Sequence, residues 1–147
     1  MALRSPRERL GGYVLLPRLI DKVRLHARGQ LLPEYVKNLL GPSPTTLDGQ
    51  FLAFAGLDGE ELREAILSAE SDEAILVWIE RHTRPRSLAE KQEWAEKIEA
   101  YQADAARVAY RRQIYPDLAA KVDVGSLGVF DLIDMDEGRI PMPSQVR

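Results

Sequence analysis

The ionic side chains of segment 16–28 have the types and spacing that could do chemistry. We call this segment, LPRLIDKVRLHAR, the basic box; its candidate site residues are Arg18, Asp21, Lys22, Arg24 and His26. An arginine fork or a lysine charge can hold a carboxylate or a phosphate. Asp21 or His26 could serve as a general acid or base if it lies in a pocket. Alternatively, the charges are solvated or pair within the helix, as Asp21 could with Arg18 or Arg24.

Apolar residues of the basic box predict the helix that positions these charges. The apolar stripe consists of Leu16, Leu19, Ile20, Val23 and Ala27. Offsets of three and four residues place this stripe on one face of an α-helix. Pro17 suits the first turn, and Gly29 can end the helix in the left-handed conformation. We expect the stripe to be buried and the charges to lie on the opposite side.

Further candidates lie outside the basic box. They are Asp136, Glu137 and Arg139, within the C-terminal sequence DMDEGR at 134–139. DMDEGR and the basic box are opposite in charge, and both adjoin apolar residues. We therefore expect them to meet in the fold, with Arg18 or Lys22 paired to a carboxylate of DMDEGR. Because DMDEGR lacks the twelve-residue ligand pattern of a calcium loop, no metal is predicted.

Composition limits the classes of protein and reaction. The chain has 147 residues and no cysteine, so we expect one domain and exclude disulfides, thiolate zinc sites and cysteine nucleophiles. No apolar run is long enough to span a membrane and no secretory leader is evident, so we expect a soluble, cytoplasmic protein with no membrane partner. The P-loop, dinucleotide and nucleophile-elbow motifs are absent, which makes an enzyme less favoured and predicts no cofactor.

The charge distribution favours an anion site, or packing of a basic part of the chain against an acidic part, over nucleic-acid binding. The net charge of −3 is the opposite of what a phosphate-tracking protein carries. Residues 1–37 nevertheless hold eight Lys or Arg and three Asp or Glu. This basic part can bind an anion, or it can pack against the acidic remainder of the chain.

Helix signals cover nearly the whole chain and predict an all-α fold. Capping residues that mark helix starts are Ser5, Thr46, Asp58, Ser71 and Ser87. The glycines at 11–12 are predicted to end a short opening turn, residues 88–114 to form one long helix, and residues 126–135 a last helix. We expect a compact single-domain bundle over 1–147, with about six short helices packed on this long C-terminal-half helix. A Pro-rich loop at 41–46 and a loose tail at 140–147 complete the prediction.

Four stretches resemble a known bacterial family. They are GGYVLLPRLIDKVR at 11–24, LDGQFLAFAGLD at 47–58, SDEAILVWI at 71–79 and DLIDMDEGR at 131–139. Together they are similar to the family catalogued as domain of unknown function 5069. The resemblance implies a small, cytosolic, mainly helical protein, and it brings no established reaction, cofactor or catalytic residue. It directs attention to Pro17, Arg18, Asp21, Lys22, Asp48 and the segment 136–139.

Three functions fit these observations. The favoured one is a binding module that holds a small anionic ligand through the basic box around Arg18. The second is a protein-interaction module that uses the long helix or the acidic surface, with another protein or as a homodimer. The third is an acid–base enzyme that uses Asp21, His26 or Asp48. A concave pocket that converges on Arg18 and Asp21 would favour the first or the third.

Overall fold

The computed structural model describes residues 3–83, 86–101 and 103–141, which divide into two compact units. Unit 1 is Met1–Trp94 and unit 2 is Ala95–Arg147. The elements are β1 (Arg9–Leu10), β2 (Tyr13–Val14), α1 (Leu16–Ala27), α2 (Pro33–Val36), α3 (Leu47–Ala55), α4 (Gly59–Ser68), α5 (Asp72–His82), α6 (Leu88–Glu99), α7 (Ala105–Ile114), α8 (Pro116–Ala119) and α9 (Val129–Asp136). The chain is mostly helical, as predicted, whereas the single domain stays a prediction. Residues 142–147 of the predicted loose tail lie outside the described residues.

A β-hairpin at the N-terminal end corrects the all-α prediction. The register pairs Arg9 with Val14 and Leu10 with Tyr13 in an antiparallel ladder. Gly11 and Gly12 have φ angles of 58° and 87°. Two successive positive φ angles are typical of the type I′ turn, which matches the right-handed twist of paired strands. The two glycines therefore connect strands instead of ending a helix.

Side-chain caps begin three helices of unit 1 where the sequence predicts them. The side chains of Thr46, Asp58 and Ser71 each accept a hydrogen bond from the backbone N–H three residues further on. Such a cap satisfies an amide that has no partner inside the helix. The predicted starts of α3, α4 and α5 are therefore confirmed.

Helix α1 lies in the core of unit 1. The predicted stripe residues Leu16, Leu19, Ile20 and Val23 are fully buried, and α1 packs against α4 and β1. Burying one such side chain contributes about 1.5–3 kcal/mol, so the stripe fixes the orientation of α1. Ala27 was also predicted in the stripe but is exposed, because it is the last residue of the helix. The orientation of α1 brings its charges against other segments of the same unit.

The long helix predicted over 88–114 is divided into α6 and α7. Helix α6 ends at Glu99, and α7 begins at Ala105. The carboxylate of Asp104 accepts a hydrogen bond from the Arg107 N–H at 2.8 Å. An aspartate that caps in this way competes with the continuing helix, so the absence of Gly and Pro did not ensure one helix. No helix in the described part of the chain is long and apolar enough to cross a membrane.

Unit 2 has a small core of its own. Its buried apolar residues include Leu118, Val124, Leu132 and Met135. Helix α7 packs against α8, a short helix that the sequence analysis missed. Helix α9 begins at Val129, three residues later than predicted, with Gly128 as its N-cap residue.

Candidate functional site

The basic box meets carboxylates from other segments of unit 1. Arg4 donates to Asp21 through Nε and Nη2, both at 3.0 Å, and to Asp72 through Nη1 at 2.7 Å. The Arg4 backbone N–H also donates to Asp21, at 2.8 Å. Arg24 donates to the second oxygen of Asp72 at 3.1 Å. We call these four residues the Arg4 network; it attaches the N-terminal segment to α1 and to the start of α5.

The charges of the Arg4 network stabilise one another. Burial of Asp72 opposes its ionisation, but Arg4, and then Arg24, hold the pKa of that carboxyl below its ordinary value of 3.8. The hydrogen bond to Asp21 raises the pKa of Arg4 in spite of burial, and Asp72 adds to this effect. Arg4 therefore stays charged and Asp72 ionised at neutral pH. Arg4 and Asp72 were not predicted as site residues, because their proximity to the basic box arises only in the fold.

Arg18 is buried and lies against protein groups. Its side chain donates from Nη1 to the Arg4 carbonyl at 3.2 Å, and the residue is 4% exposed. Its guanidinium carbon lies 5.6 Å from the centroid of the Tyr35 ring, which is a cation–π contact. Arg18 thus connects α1 to the N-terminal segment and to α2.

Lys22 and Asp48, both predicted as site residues, form a buried ion pair. Lys22 Nζ lies 2.7 Å from Asp48 Oδ1, and the second carboxylate oxygen accepts the Leu40 N–H at 2.9 Å. Leu40 has a φ angle of 55°, which residues other than glycine rarely adopt. The pair therefore holds α1, α3 and segment 36–42 together and fixes the backbone at Leu40.

A pocket of about 770 Å³ opens next to this ion pair. Its apolar walls are Val36, Leu39, Leu40, Pro42, Leu52, Ala53 and Leu57, and its polar side chains are His26, Asp58, Glu60 and Arg63. The volume lies within the range of about 300–1,000 Å³ that is usual for small-molecule sites. The pocket lies at the C-terminal end of the basic box, where His26 lines it, and it does not converge on Arg18 and Asp21.

Two glycines allow the pocket wall to approach α3 and α4. A Cβ atom at Gly49 would lie 1.8 Å from the Ser43 carbonyl oxygen, and one at Gly59 would lie 2.6 Å from the Leu40 carbonyl oxygen. Neither distance is sterically allowed, so any side chain at these positions would displace segment 36–43. The sequence analysis assigned no role to either glycine.

His26 and Arg63 lie together at one end of the pocket. Arg63 Nη1 lies 3.5 Å from His26 Nδ1. A guanidinium can only donate, so Arg63 is the donor in any hydrogen bond between the two side chains. Arg63 has no ion pair with any residue that the structure describes, and Asp58 is engaged as the N-cap of α4. Arg63, which the sequence analysis missed, is therefore a cation at the pocket without a carboxylate partner in those residues.

The remaining candidates lie in unit 2. Arg139 Nη1 donates to Asp134 at 2.8 Å and to Glu137 at 2.7 Å, whereas Asp136 is exposed. These carboxylates are thus paired within their own segment. Lys22 is paired with Asp48 in unit 1. The predicted pairing of the basic box with DMDEGR stays a prediction.

These features define a mostly helical protein with an N-terminal hairpin and a buried helix α1, whose Asp21, Lys22 and Arg24 form ion pairs within unit 1. A family model described as "Domain of unknown function (DUF5069)" matches residues 1–139. The chain therefore belongs to this family, which confirms the resemblance seen in the sequence. A comparison with curated proteins finds no match.

Proposed function

We propose that unit 1 binds a small anion with an apolar body, such as an alkyl or aryl carboxylate, in the pocket next to the Lys22–Asp48 pair. The supporting observation is Arg63, which lines a mainly apolar concavity and has no carboxylate partner among residues 3–83, 86–101 and 103–141. A carboxylate forms short, charge-assisted hydrogen bonds with a guanidinium. The apolar body of the ligand would cover side chains such as Leu39 and Leu52.

The proposed anion site lies at the C-terminal end of α1 and not around Arg18. His26 is the candidate from the basic box that lines the pocket, whereas no residue of the Arg4 network lines it. Lys22 contributes indirectly, because its pair with Asp48 fixes the Leu40 backbone in the pocket wall. Lys22 therefore fixes the pocket wall without lining the pocket, and His26 lines it directly.

The pairing of the candidate acid–base residues favours binding over catalysis. Asp21 accepts three hydrogen bonds from Arg4, and Asp48 accepts from Lys22 and from the Leu40 N–H. These hydrogen bonds occupy the carboxylate oxygens that an acid–base reaction would use. Neither aspartate is among the described residues that line the pocket. We therefore favour a binding module over an acid–base enzyme.

A ligand screen with matched arginine variants tests this proposal. The probes are medium-chain carboxylates and their uncharged amides, and the readouts are thermal stabilisation and calorimetric affinity. Arg63→Ala removes the pocket cation, whereas Arg28→Ala removes the same charge from an exposed position at the end of α1. A ligand that binds only the folded state raises the apparent Tm in proportion to occupancy.

We expect carboxylates to stabilise the wild type and Arg28→Ala and to bind Arg63→Ala about tenfold more weakly or worse. This factor corresponds to the roughly 1.5–3 kcal/mol of a hydrogen bond to a charged group. The amides should bind all three proteins weakly. Equal carboxylate affinity in Arg63→Ala, or no stabilisation of the wild type by any carboxylate, would overturn the proposal.

A further inference from the structure

Arg111 is a buried cation in unit 2. The residue lies on α7 and is 3% exposed. Its Nη1 group donates to the carbonyl oxygens of Val124 at 2.8 Å and Leu127 at 3.1 Å. These bonds attach α7 to the loop that precedes α9. They use one nitrogen of the guanidinium and leave Nε and Nη2 without an acceptor in the described part of the chain.

No carboxylate compensates the charge of Arg111 among the residues that the structure describes. The charged side chain that acts on its pKa is Arg107, another cation, one turn earlier on α7. Burial, and to a lesser degree Arg107, lower the pKa of Arg111, while Tyr101 and Tyr115 oppose that shift. A buried charge that lacks an opposite partner is costly to maintain. This cost points to an anionic partner that binds from outside unit 2.

The uncommitted donors of Arg111 share one edge of the guanidinium. In the planar group, the Nε–H bond and one Nη2–H bond are parallel, with the spacing of two oxygens of a carboxylate or phosphate. Neither nitrogen is among the fully buried side-chain atoms that lack a partner. An anion that bound this edge would leave the two carbonyl bonds of Nη1 in place.

We propose that the Nε–Nη2 edge of Arg111 is an oxyanion site, which takes a carboxylate or a phosphate group through two parallel hydrogen bonds. The carbonyls of Val124 and Leu127 fix the orientation of the guanidinium. Arg107 adds positive potential from the preceding turn. The site lies in unit 2 and is independent of the function proposed for the pocket of unit 1.

NMR of the arginine Nε–H groups in the full chain tests this site. The probes are inorganic phosphate and acetate, each compared with sodium chloride at the same ionic strength. Arg111→Lys keeps the positive charge and one donor for the loop but lacks the two-donor edge. Arg112→Gln removes the exposed neighbouring charge as a control. Backbone amide shifts of segment 124–128 report the anion affinity of each variant.

We expect phosphate, acetate or both to shift the Arg111 Nε–H signal along a saturating curve that chloride does not reproduce. Arg111→Lys should weaken anion binding about tenfold or more, and Arg112→Gln should retain it. A saturable response to phosphate alone would identify the phosphate group as the partner, and a response to acetate alone the carboxylate. Chloride shifts of equal size, or unchanged affinity in Arg111→Lys, would overturn the proposal. If Arg111→Lys does not fold, the wild-type titration against chloride decides.

Discussion

Replacing Asp48 by alanine should destabilise unit 1 strongly. The Asp48 side chain is 6% exposed and that of its partner Lys22 is 12% exposed, so the ion pair is shielded from water. Removing one partner leaves the Lys22 charge unpaired and costs about 3–5 kcal/mol. The Leu40 N–H loses its acceptor as well. At roughly 2–4 °C per kcal/mol for a chain of this size, the Tm should fall by about 6–20 °C.

Thermal unfolding followed by circular dichroism at neutral pH measures this effect. Asp58→Ala is the matched control, since it removes an exposed carboxylate that caps α4 and should cost only about 0.5–2 kcal/mol. The double replacement Lys22→Met with Asp48→Leu should be less destabilised than Asp48→Ala, because it leaves no unpaired buried charge. A Tm for Asp48→Ala equal to that of Asp58→Ala would refute the reasoning.

Two further predictions concern the Arg4 network and the pocket wall. Because the folded state lowers the pKa of Asp72 below 3.8, this group contributes stability above about pH 4 and loses it as the pH falls through the folded-state value. The free energy of unfolding of Asp72→Asn, measured at a series of acidic pH values, should therefore fall less with decreasing pH than that of the wild type. An identical dependence on pH in both proteins would contradict the assignment. Gly49→Ala should lower the Tm and weaken carboxylate binding, because its Cβ would lie 1.8 Å from the Ser43 carbonyl oxygen. Gly41→Ala is the control, with its nearest atom at 3.8 Å, and an equal effect of both changes would count against this role.

Local signals predicted most of the helices. Caps such as Thr46 and Ser71, together with the apolar stripe of α1, act within one helical turn, so they can be recognised in the sequence. The hairpin was missed because glycine pairs can end a helix or form a type I′ turn, and only strand pairing distinguishes these outcomes. The break before α7 was missed because an aspartate such as Asp104 can lie inside a helix or cap the start of one, and the local sequence does not distinguish these two positions.

The candidate site was predicted in part. Lys22 and His26 were candidates as ionic residues of the basic box, and Asp48 was a candidate through the family resemblance. It did not predict that Asp48 pairs with Lys22, 26 residues away, nor that Arg63 meets His26, 37 residues away. Such long-range pairs depend on how the helices pack, and no local spacing encodes them.

Amide NMR of the labelled full chain, titrated with a medium-chain carboxylate, tests the central claim most directly. The largest shifts should map to the lining of the pocket, at His26, segment 39–42 and Arg63, and they should disappear in Arg63→Ala but persist in Arg28→Ala. Shifts that cluster around Arg18 and leave the pocket unchanged would contradict the account. They would place the anion site on the face of α1 that contacts Arg4.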